Sequence, residues 1–450
     1  METHQHIELD GDRGLLIGGV PASKLAKKFG TPLYVYSEDA LVERMREYVR
    51  SFAAVYPDTA VAYAGKAYLT MRMARLVAQE GLFLDTASGG ELYIALQAGF
   101  PPGRILLHGN NKSAKELEMA VVSGVGRVVV DNLDELDRLQ RIARKQRRVQ
   151  NVLLRLTPGI DPHTHKYLAT GEISSKFGFA MHGENHFTAA MQALKSPNLN
   201  LLGFHCHIGS QIFDSRPFEA AARVMVDFAA AFREKTGMTA KELDLGGGLG
   251  VKYTPDVEAD PPSPADYLSR LADEVKRRAA ELDFPLPRLF VEPGRSIVAA
   301  AGVTLYTVGS VKELPNGETV VAVDGGMADN PRPMLYGAKY QAVPAMPPRS
   351  SELRAVRVVG KHCEEGDTLI ARAELPPLRP GDVLAVLVSG AYQYSMRSNY
   401  NALPNPAVVH VADKQPFLVV ERQKYRDIIA KERPVPAFAV REHERAANAY

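Results

Sequence analysis

Two short apolar runs, Ile105-Leu106-Leu107-His108 and Val128-Val129-Val130-Asp131, decide the fold of this chain. Each has the length and the leucine-rich or β-branched composition of a buried strand, and each ends on a polar side chain. The segment between them, 114–122, has the apolar spacing and the good helix formers of an amphipathic helix. A buried strand, a helix and a second buried strand form a parallel βα unit.

The same alternation continues over most of the first 300 residues. Helical spacing recurs at 69–79 and 133–147, and six more apolar runs have the same character: Val61-Ala62-Tyr63, Leu82-Phe83-Leu84-Asp85, Val152-Leu153-Leu154-Arg155, Leu201-Leu202-Gly203-Phe204-His205, Leu243-Asp244-Leu245 and Leu289-Phe290-Val291-Glu292. Eight such units can close a parallel (β/α)₈ barrel, which we predict over 38–300. The alternative is an open, doubly wound parallel sheet.

The character of the sequence changes after Ile297. Short strand-like runs follow at 304–311, 318–323, 353–359, 382–388 and 407–411, and glycine and proline turns separate them. This pattern predicts a C-terminal antiparallel β domain over 301–450. The run Leu33-Tyr34-Val35-Tyr36, in an N-terminal segment 1–37, is expected to give that domain an extra strand.

The composition is typical of a soluble globular enzyme. The 450 residues are 46% hydrophobic and 24% charged, and the net charge of +2 gives no reason to expect nucleic acid or an anionic membrane as a partner. The two cysteines, Cys206 and Cys363, are too far apart in sequence to suggest a disulfide framework or a zinc cluster. With no signal-peptide core near the start and no run long enough to span a membrane, we expect a cytoplasmic protein.

Chemistry is expected at the carboxyl ends of barrel strands. The stretch Ala62-Tyr63-Ala64-Gly65-Lys66-Ala67 puts a lysine after the first run, and Glu292-Pro293-Gly294-Arg295 follows the eighth. A lysine can form a Schiff base, and a facing carboxylate can keep a pyridine nitrogen protonated. That pairing is the minimum requirement of a pyridoxal phosphate (PLP) enzyme. The small or apolar neighbours of Lys66 are expected to shield it from water; Lys112 and Lys176, in polar loops, are weaker candidates.

Other strand ends carry groups that suit a phosphorylated aromatic ligand. Gly246, Gly247 and Gly248 expose backbone N–H groups that could bind phosphate, although a plain tight turn fits them equally well. His207 could lie on a ring face and Ser210 could donate to phosphate, whereas a structural role is the alternative for His205 and His207. Arg295 could bind a carboxylate or phosphate, or form an ordinary ion pair.

The β domain has its own polar clusters. They are 324–336, which ends in Arg332 and Tyr336, then His362-Cys363-Glu364-Glu365-Gly366-Asp367, and finally Gly390-Ala391-Tyr392. Negative charge beside a thiol disfavours the thiolate, so Cys363 suits a proton carrier better than a nucleophile. Taken singly, each cluster is also compatible with a β-turn.

Together, in this order, these motifs resemble the fold type III PLP-dependent decarboxylases, which share the alanine racemase-like barrel, and within them the enzymes that act on diaminopimelate. The likeness covers 31–404 and includes His108-Gly109-Asn110-Asn111-Lys112. It implies a homodimer with active sites at the subunit interface. For the cofactor, the resemblance implies that Lys66 holds PLP, His207 stacks on its ring and Glu292 pairs with its ring nitrogen. It also implies that the phosphate side of PLP is bound by Ser210, Gly246, Gly247, Gly248, Gly294 and Arg295. For the substrate, it implies binding by Arg295, Arg332, Tyr336 and Glu364, with Tyr392 in contact with both ligands and Cys363 donating a proton from the neighbouring subunit.

The implied reaction is decarboxylation of meso-2,6-diaminopimelate to L-lysine and CO₂, the last step of lysine biosynthesis, with no metal. Two arginines suit a substrate with a second carboxylate. Two positions depart from the family pattern: Glu365 replaces a serine, and Asn405 stands where an arginine is expected. The alternatives are a sister decarboxylase acting on ornithine, arginine, a D-amino acid or carboxynorspermidine, a racemase, a non-catalytic regulatory homologue, and a nucleotide-binding module.

Overall fold

The structure, a computed structural model, describes residues 6–160, 175–257 and 259–433. Its first elements are short: β1 (Ile7–Asp10), β2 (Gly14–Ile17), β3 (Val20–Pro21), α1 (Ala22–Phe29) and β4 (Leu33–Ser37). Strands β1, β2 and β3 form a small antiparallel sheet of their own. Strand β4 is fully buried and joins a different sheet, which the C-terminal part of the chain builds.

Eight parallel strands form a closed barrel. Each strand pairs with the next, and the pairings of β8 with β9 and of β13 with β5 complete the ring. The predicted barrel is therefore confirmed, and the open doubly wound sheet is wrong. A two-residue strand, β10, pairs with β9 outside the ring. The strands are β5 (Thr59–Ala64), β6 (Phe83–Thr86), β7 (Ile105–Leu107), β8 (Arg127–Val130), β9 (Gln150–Thr157), β10 (Phe179–Ala180), β11 (Leu199–Cys206), β12 (Glu242–Asp244) and β13 (Arg288–Val291).

Helices surround the barrel and alternate with its strands. Several begin at a polar residue whose side chain accepts a backbone N–H three residues on, as Thr70, Ser88, Ser113 and Asn132 do. The helices are α2 (Glu38–Val55), α3 (Met71–Gln79), α4 (Gly89–Gln97), α5 (Ala114–Ser123), α6 (Leu133–Lys145), α7 (Asn185–Lys195), α8 (Arg216–Thr236), α9 (Pro264–Glu281) and the single turn α10 (Arg295–Val298).

The strands bury both of their faces, as a barrel requires. A small cluster fills the interior: Ala60, Ala62, Leu106, Val129, Leu153, Leu202 and Phe290. The alternate side chains pack outward into the large core beneath the helices, which continues without interruption into the C-terminal domain. Because both faces are apolar, the polar groups of these strands concentrate at their ends.

The C-terminal domain is a mixed sheet in the order β18-β17-β15-β14-β4-β20-β21, with β19 pairing with β14 and β16. Its elements are β14 (Gly302–Glu313), β15 (Thr319–Val323), α11 (Arg332–Tyr336), β16 (Ala342–Pro344), β17 (Arg354–Val359), β18 (Thr368–Leu375), β19 (Val383–Val386), α12 (Gln393–Met396), β20 (Ala407–Ala412), β21 (Gln415–Val420) and α13 (Tyr425–Ile428). The predicted extra strand is confirmed, since β4 pairs with β14 and β20. The sheet is not purely antiparallel, because β4 with β20 and β15 with β17 are parallel pairs joined by long crossovers.

No helix among the described residues is long and apolar enough to cross a membrane.

Candidate active site

The carboxyl ends of the barrel strands meet at one mouth, where Lys66 lies on a 3₁₀ turn (Gly65–Ala67) directly after β5. The turn is fixed from two sides. The backbone N–H of Tyr392 donates to the Ala67 carbonyl at 2.7 Å, and the Tyr63 hydroxyl donates to the Tyr68 carbonyl at 2.7 Å. The neighbours of Lys66 are buried, but Lys66 itself is exposed. The expected shielding of Lys66 from water is therefore wrong, because its apolar neighbours are buried while Lys66 itself is exposed at the mouth of the barrel.

Of the weaker candidates, Lys112 is a buried structural lysine rather than a loop residue facing water. Its Nζ donates to the Glu135 carboxylate at 2.8 Å and to the backbone carbonyls of Gly109 and Val129. Lys176 is exposed beside the ring of Phe177. Of the three candidate lysines, Lys66 is therefore the one at the mouth of the barrel.

Glu292, at the end of β13, lies among buried polar groups from other strand ends. His205 Nε2 is 3.1 Å from Oε2, and His108 Nε2 is 2.8 Å from Oε1. His108 Nε2 is also 3.6 Å from Asp85 Oδ1, and Asp244 is fully buried close by. The mouth therefore contains three carboxyl groups and two imidazoles, all buried.

Burial alone would raise the pKa of Glu292, but His108 and His205 hold it well below its usual range. Burial lowers the pKa of His205 to about 4, so this imidazole is neutral near pH 7. Burial, with the charge of Glu292, raises the pKa of Asp244 well above its usual range, and burial also raises the pKa of Asp85. Of the three carboxyl groups, Glu292 is therefore the one whose ionised form its neighbours favour.

His207 and the glycine loop interlock beside this cluster. The Gly247 N–H donates to His207 Nδ1 at 3.2 Å, and the Gly246 N–H donates to Asp244 Oδ1 at 2.9 Å. Two of the three N–H groups expected to face phosphate are thus directed at side chains. Burial lowers the pKa of His207 well below its usual range, so the ring is neutral and accepts at Nδ1.

The glycine loop also approaches the end of β13 very closely. A Cβ on Gly247 would lie 2.1 Å from the Glu292 carbonyl oxygen, and one on Gly246, whose φ is +68°, would lie 2.5 Å from the Cys206 carbonyl oxygen. A Cβ on Gly294 would likewise lie 2.9 Å from the Cβ of Ala64. Side chains at these positions would therefore fill the space between the strand ends.

Two arginines lie at the rim in a cage of aromatic side chains. Arg295 donates to the Tyr253 hydroxyl at 2.6 Å and to Ser210 Oγ at 3.0 Å, and its guanidinium lies 4.8 Å from the ring centre of Tyr392. Arg332, at the start of α11, is buried and donates to the Tyr340 hydroxyl. Its guanidinium lies 5.1 Å from the ring centre of Tyr253. Neither arginine forms an ion pair with any described residue, so both positive charges are available to an anion.

The other predicted substrate residues do not join this group. Tyr336, Cys363 and Glu364 are exposed. The backbone N–H of Cys363 donates to Asn401 Oδ1, and the described contacts of Cys363 and Glu364 involve no residue of the barrel mouth. Glu365 is also exposed, and Asn405 bonds to Gln423 and Asn399 rather than to the site. The structure of one chain therefore brings together Lys66, His207, Ser210, Glu292, Arg295, Arg332 and Tyr392, but not Cys363.

Sequence reasoning missed five residues of this site: Asp85, His108, Asp244, Tyr253 and Tyr340. Asp85 and His108 end predicted strands, so the strand-end rule could have found them, whereas Asp244 lies inside a predicted run and ends its strand only in the structure. Tyr253 and Tyr340 lie in loops and meet only in the fold, with ring centres 5.3 Å apart, and no local pattern marks them.

Comparisons with known proteins agree with this architecture. The family model described as "Pyridoxal-dependent decarboxylase, pyridoxal binding domain" matches residues 39–299. The chain is 46% identical to the diaminopimelate decarboxylase of Bacillus subtilis over 96% of each chain, and 43% identical to that of Mycobacterium tuberculosis over 92% of this chain and 94% of that one.

Solved structures give the same result. The crystal structure of diaminopimelate decarboxylase from M. jannaschii in co-complex with L-lysine superposes with a TM-score of 0.90 at 35% identity, over 98% of this chain and 100% of that one. A lysine/ornithine decarboxylase from Vibrio vulnificus shares the fold at 21% identity, with a TM-score of 0.73 over 87% of this chain and 97% of that one. The full-length matches above 40% identity carry the assignment: the chain belongs to the diaminopimelate decarboxylase family of pyridoxal-dependent decarboxylases.

Proposed function

We propose that this chain decarboxylates meso-2,6-diaminopimelate to L-lysine and CO₂ with PLP as cofactor. The observation that best supports this choice of substrate is the pair of guanidinium groups of Arg295 and Arg332, which are held by tyrosines instead of carboxylates. A substrate without a carboxylate at its far end would leave the buried cation of Arg332 without an anion, which is costly. The activity named for the full-length relatives supports the same choice.

The residues at the mouth fit PLP. Glu292 Oε1 is buried, and although His108 Nε2 lies 2.8 Å away, no described donor is aligned for a hydrogen bond to it, so it can receive a ring N–H. The close approach of Gly247 to β13 leaves a side-chain-free cradle, and Arg295 with Ser210 offers donors for phosphate. Lys66 would hold the cofactor through its ε-amino group, with the neutral ring of His207 beside it.

When bound, PLP supplies an electron sink for the electron pair that departing CO₂ leaves on the α-carbon. Glu292, kept as a carboxylate, would hold a proton on the ring nitrogen. Arg332 and Arg295 would bind and orient the substrate carboxylates. The thiol of Cys363 would donate a proton to the α-carbon in place of CO₂.

We further propose that two copies of the chain share each active site. Cys363 and Glu364 are exposed on the β17–β18 connection and have no described contact with the barrel mouth of their own chain. A second copy that brings this connection to the mouth would complete the site. We also propose that the chain divides into an N-terminal segment 1–37, a barrel domain 38–300 and a β domain 301–450. The family match to 39–299 supports the two limits of the barrel domain.

Mixing two inactive variants tests the shared site. Lys66→Ala and Cys363→Ala homodimers are each expected to be inactive, whereas refolded mixtures should recover about a quarter of wild-type activity, because random pairing restores one intact site in half of the dimers. Cys206→Ala, which alters the buried cysteine inside the barrel, is the control for loss of a thiol as such. Mixtures that stay inactive would contradict the shared site.

The function itself is tested by measuring CO₂ release from the PLP-loaded protein on meso-diaminopimelate, L-ornithine, L-arginine and L-lysine. We expect release from meso-diaminopimelate alone, with L-lysine as product. Release from another substrate of the panel would move the assignment to a sister decarboxylase. No release from any of them, with PLP bound, would favour a non-catalytic homologue.

A further inference from the structure

Glu292 differs from the other buried glutamates in the partners it has. Glu38, Glu135, Glu242 and Glu274 are each paired with an arginine or lysine at 2.6 to 2.8 Å. Among the described residues, the side chains in ion-pair range of Glu292 are two histidines, His108 and His205. A buried carboxylate normally needs a cation, so this exception calls for a physical reason.

The two histidines face different oxygens of the same carboxylate. His108 follows β7 and reaches Oε1 at 2.8 Å, and His205, the residue before the last of β11, reaches Oε2 at 3.1 Å. Their rings meet nearly edge to face, with centres 4.9 Å apart and planes at 68°. All three residues are at least nine-tenths buried. Each carboxylate oxygen is thus confined by an imidazole that a separate strand holds in place.

The proton positions follow from this geometry. An imidazole nitrogen that faces a carboxylate at hydrogen-bond distance carries the proton, so the neutral His205 is protonated at Nε2. Its other nitrogen, Nδ1, is buried and has no partner among the described residues, as expected for a nitrogen without a proton. His205 therefore stabilises an ionised Glu292 without adding a positive charge.

This difference between a neutral donor and a cation matters for a ring nitrogen placed nearby. An arginine beside Glu292 would neutralise its charge and weaken its effect on any third group. A neutral N–H donor fixes and solvates the carboxylate but leaves its full negative charge. Burial raises the pKa of Asp85 and of Asp244, the other carboxyl groups of the mouth, and so favours the neutral form of each.

We propose that His205, a neutral donor to Oε2, and His108, which lies against Oε1, are positioning residues that hold Glu292 as a carboxylate and thereby keep the cofactor ring nitrogen protonated. The inference rests on the proposed function, since it takes the ring nitrogen to face Glu292. The same three residues offer donor atoms within 4.8 Å of one another and could instead hold a metal ion, which the test must distinguish.

The test compares His205→Leu, which removes the donor, with His205→Gln, which keeps a neutral N–H, and with His182→Leu, a control at an exposed histidine outside the site. Each protein is loaded with PLP labelled with ¹⁵N at the ring nitrogen, and the ¹⁵N chemical shift reports protonation at pH 7 directly. We expect a protonated nitrogen in wild type, His205→Gln and His182→Leu, and a neutral nitrogen in His205→Leu. The kcat of His205→Leu should fall about 100-fold with little change in KM, and His205→Gln should recover most of that loss.

A protonated ring nitrogen in His205→Leu, or a neutral one in wild type, would overturn the proposal. Stoichiometric zinc in the purified wild-type protein that is lost in His205→Leu would also overturn it, because the histidines would then be metal ligands. Thermal unfolding of the apo-proteins identifies a variant that has failed to fold, and His108→Gln and His108→Leu then provide the second comparison. The ¹⁵N shift does not depend on turnover, so a wild-type protein that binds PLP but releases no CO₂ from meso-diaminopimelate would refute the proposed function and still test the histidine pair.

Discussion

Asp329 should lower the stability of this protein at neutral pH, and Asp329→Asn should raise it. The side chain is 5% exposed, in the connection between β15 and α11, and it forms no ion pair with any described residue. Its Oδ2 accepts the backbone N–H of Gly326 at 2.7 Å. Burial outweighs this hydrogen bond and the nearby charge of His362, and it raises the pKa of Asp329 from 3.8 to about 7.

The sign and size of the effect follow from linkage. Below pH 3.8 both the folded and the unfolded chain carry a protonated Asp329, so the raised pKa costs nothing there. As the pH rises toward the folded value of about 7, the unfolded chain releases its proton and the folded chain does not, so stability is lost. Between pH 5 and pH 8 the loss amounts to about 2.5 kcal/mol. Asparagine keeps the acceptor for Gly326 and carries no proton that titrates.

The assay is the melting temperature of wild type and Asp329→Asn at matched concentration across this pH range. For a 450-residue chain that unfolds as one unit, about 1 kcal/mol corresponds to about 1 °C, so the variant should gain about 2.5 °C on wild type between pH 5 and pH 8. Asp12→Asn, at an exposed loop position, should show no such trend. A difference between wild type and Asp329→Asn that is equal at pH 5 and pH 8 would refute the reasoning, because the buried carboxyl group would then titrate as it does in the unfolded chain.

Two further predictions concern the site. Gly247→Ala places a Cβ 2.1 Å from the Glu292 carbonyl oxygen, so we expect the glycine loop to shift and the Kd for PLP to rise at least about tenfold. The control Gly103→Ala, where a Cβ meets open space, should bind PLP like wild type. Equal Kd values for wild type and Gly247→Ala in a fluorescence titration would contradict the steric argument. Tyr340→Phe removes the hydroxyl that accepts from Arg332 and should raise KM for meso-diaminopimelate about tenfold at nearly constant kcat. Steady-state kinetics check this second expectation, and a fall in kcat at unchanged KM would show that the hydroxyl acts in the chemical step.

The barrel could be predicted from sequence because parallel strands buried on both faces are continuous apolar runs. All eight runs match barrel strands, and the polar or glycine residues at or soon after their ends locate the mouth. The β domain was harder to predict because its outer strands are half-exposed and carry charges. Strand β18 alternates polar and apolar residues behind the Cys363 motif, and β21 contains Pro416, so neither stands out as a buried run.

The site divides in the same way. Lys66, His207 and Glu292 are predictable because each follows a barrel strand, and the carboxyl ends of all strands in a parallel barrel lie at the same mouth. The aromatic cage is not, because Tyr253 and Tyr340 come from loops whose meeting depends on the packing of two domains. On the proposed function, the place of Cys363 depends on the assembly of two chains, since Cys363 is exposed and has no described contact with the mouth of its own chain.

The two ends of the barrel show how the same kind of charged group serves stability or chemistry. At the amino end, Glu242 is buried against Arg127 at 2.6 Å, and the guanidinium lies 5.3 Å from the ring centres of Phe83 and Phe290. The positive charge of Arg127 neutralises that carboxylate and the surrounding side chains bury it, so the pair can hold strands together but cannot act on a ligand. At the carboxyl end, the side chains in ion-pair range of Glu292 are two histidines, and no described arginine or lysine pairs with it. On the proposed function, the active site therefore lies at the end of the barrel where a buried carboxylate has no arginine or lysine partner among the described residues, since such a carboxylate stabilises a protonated ring nitrogen most.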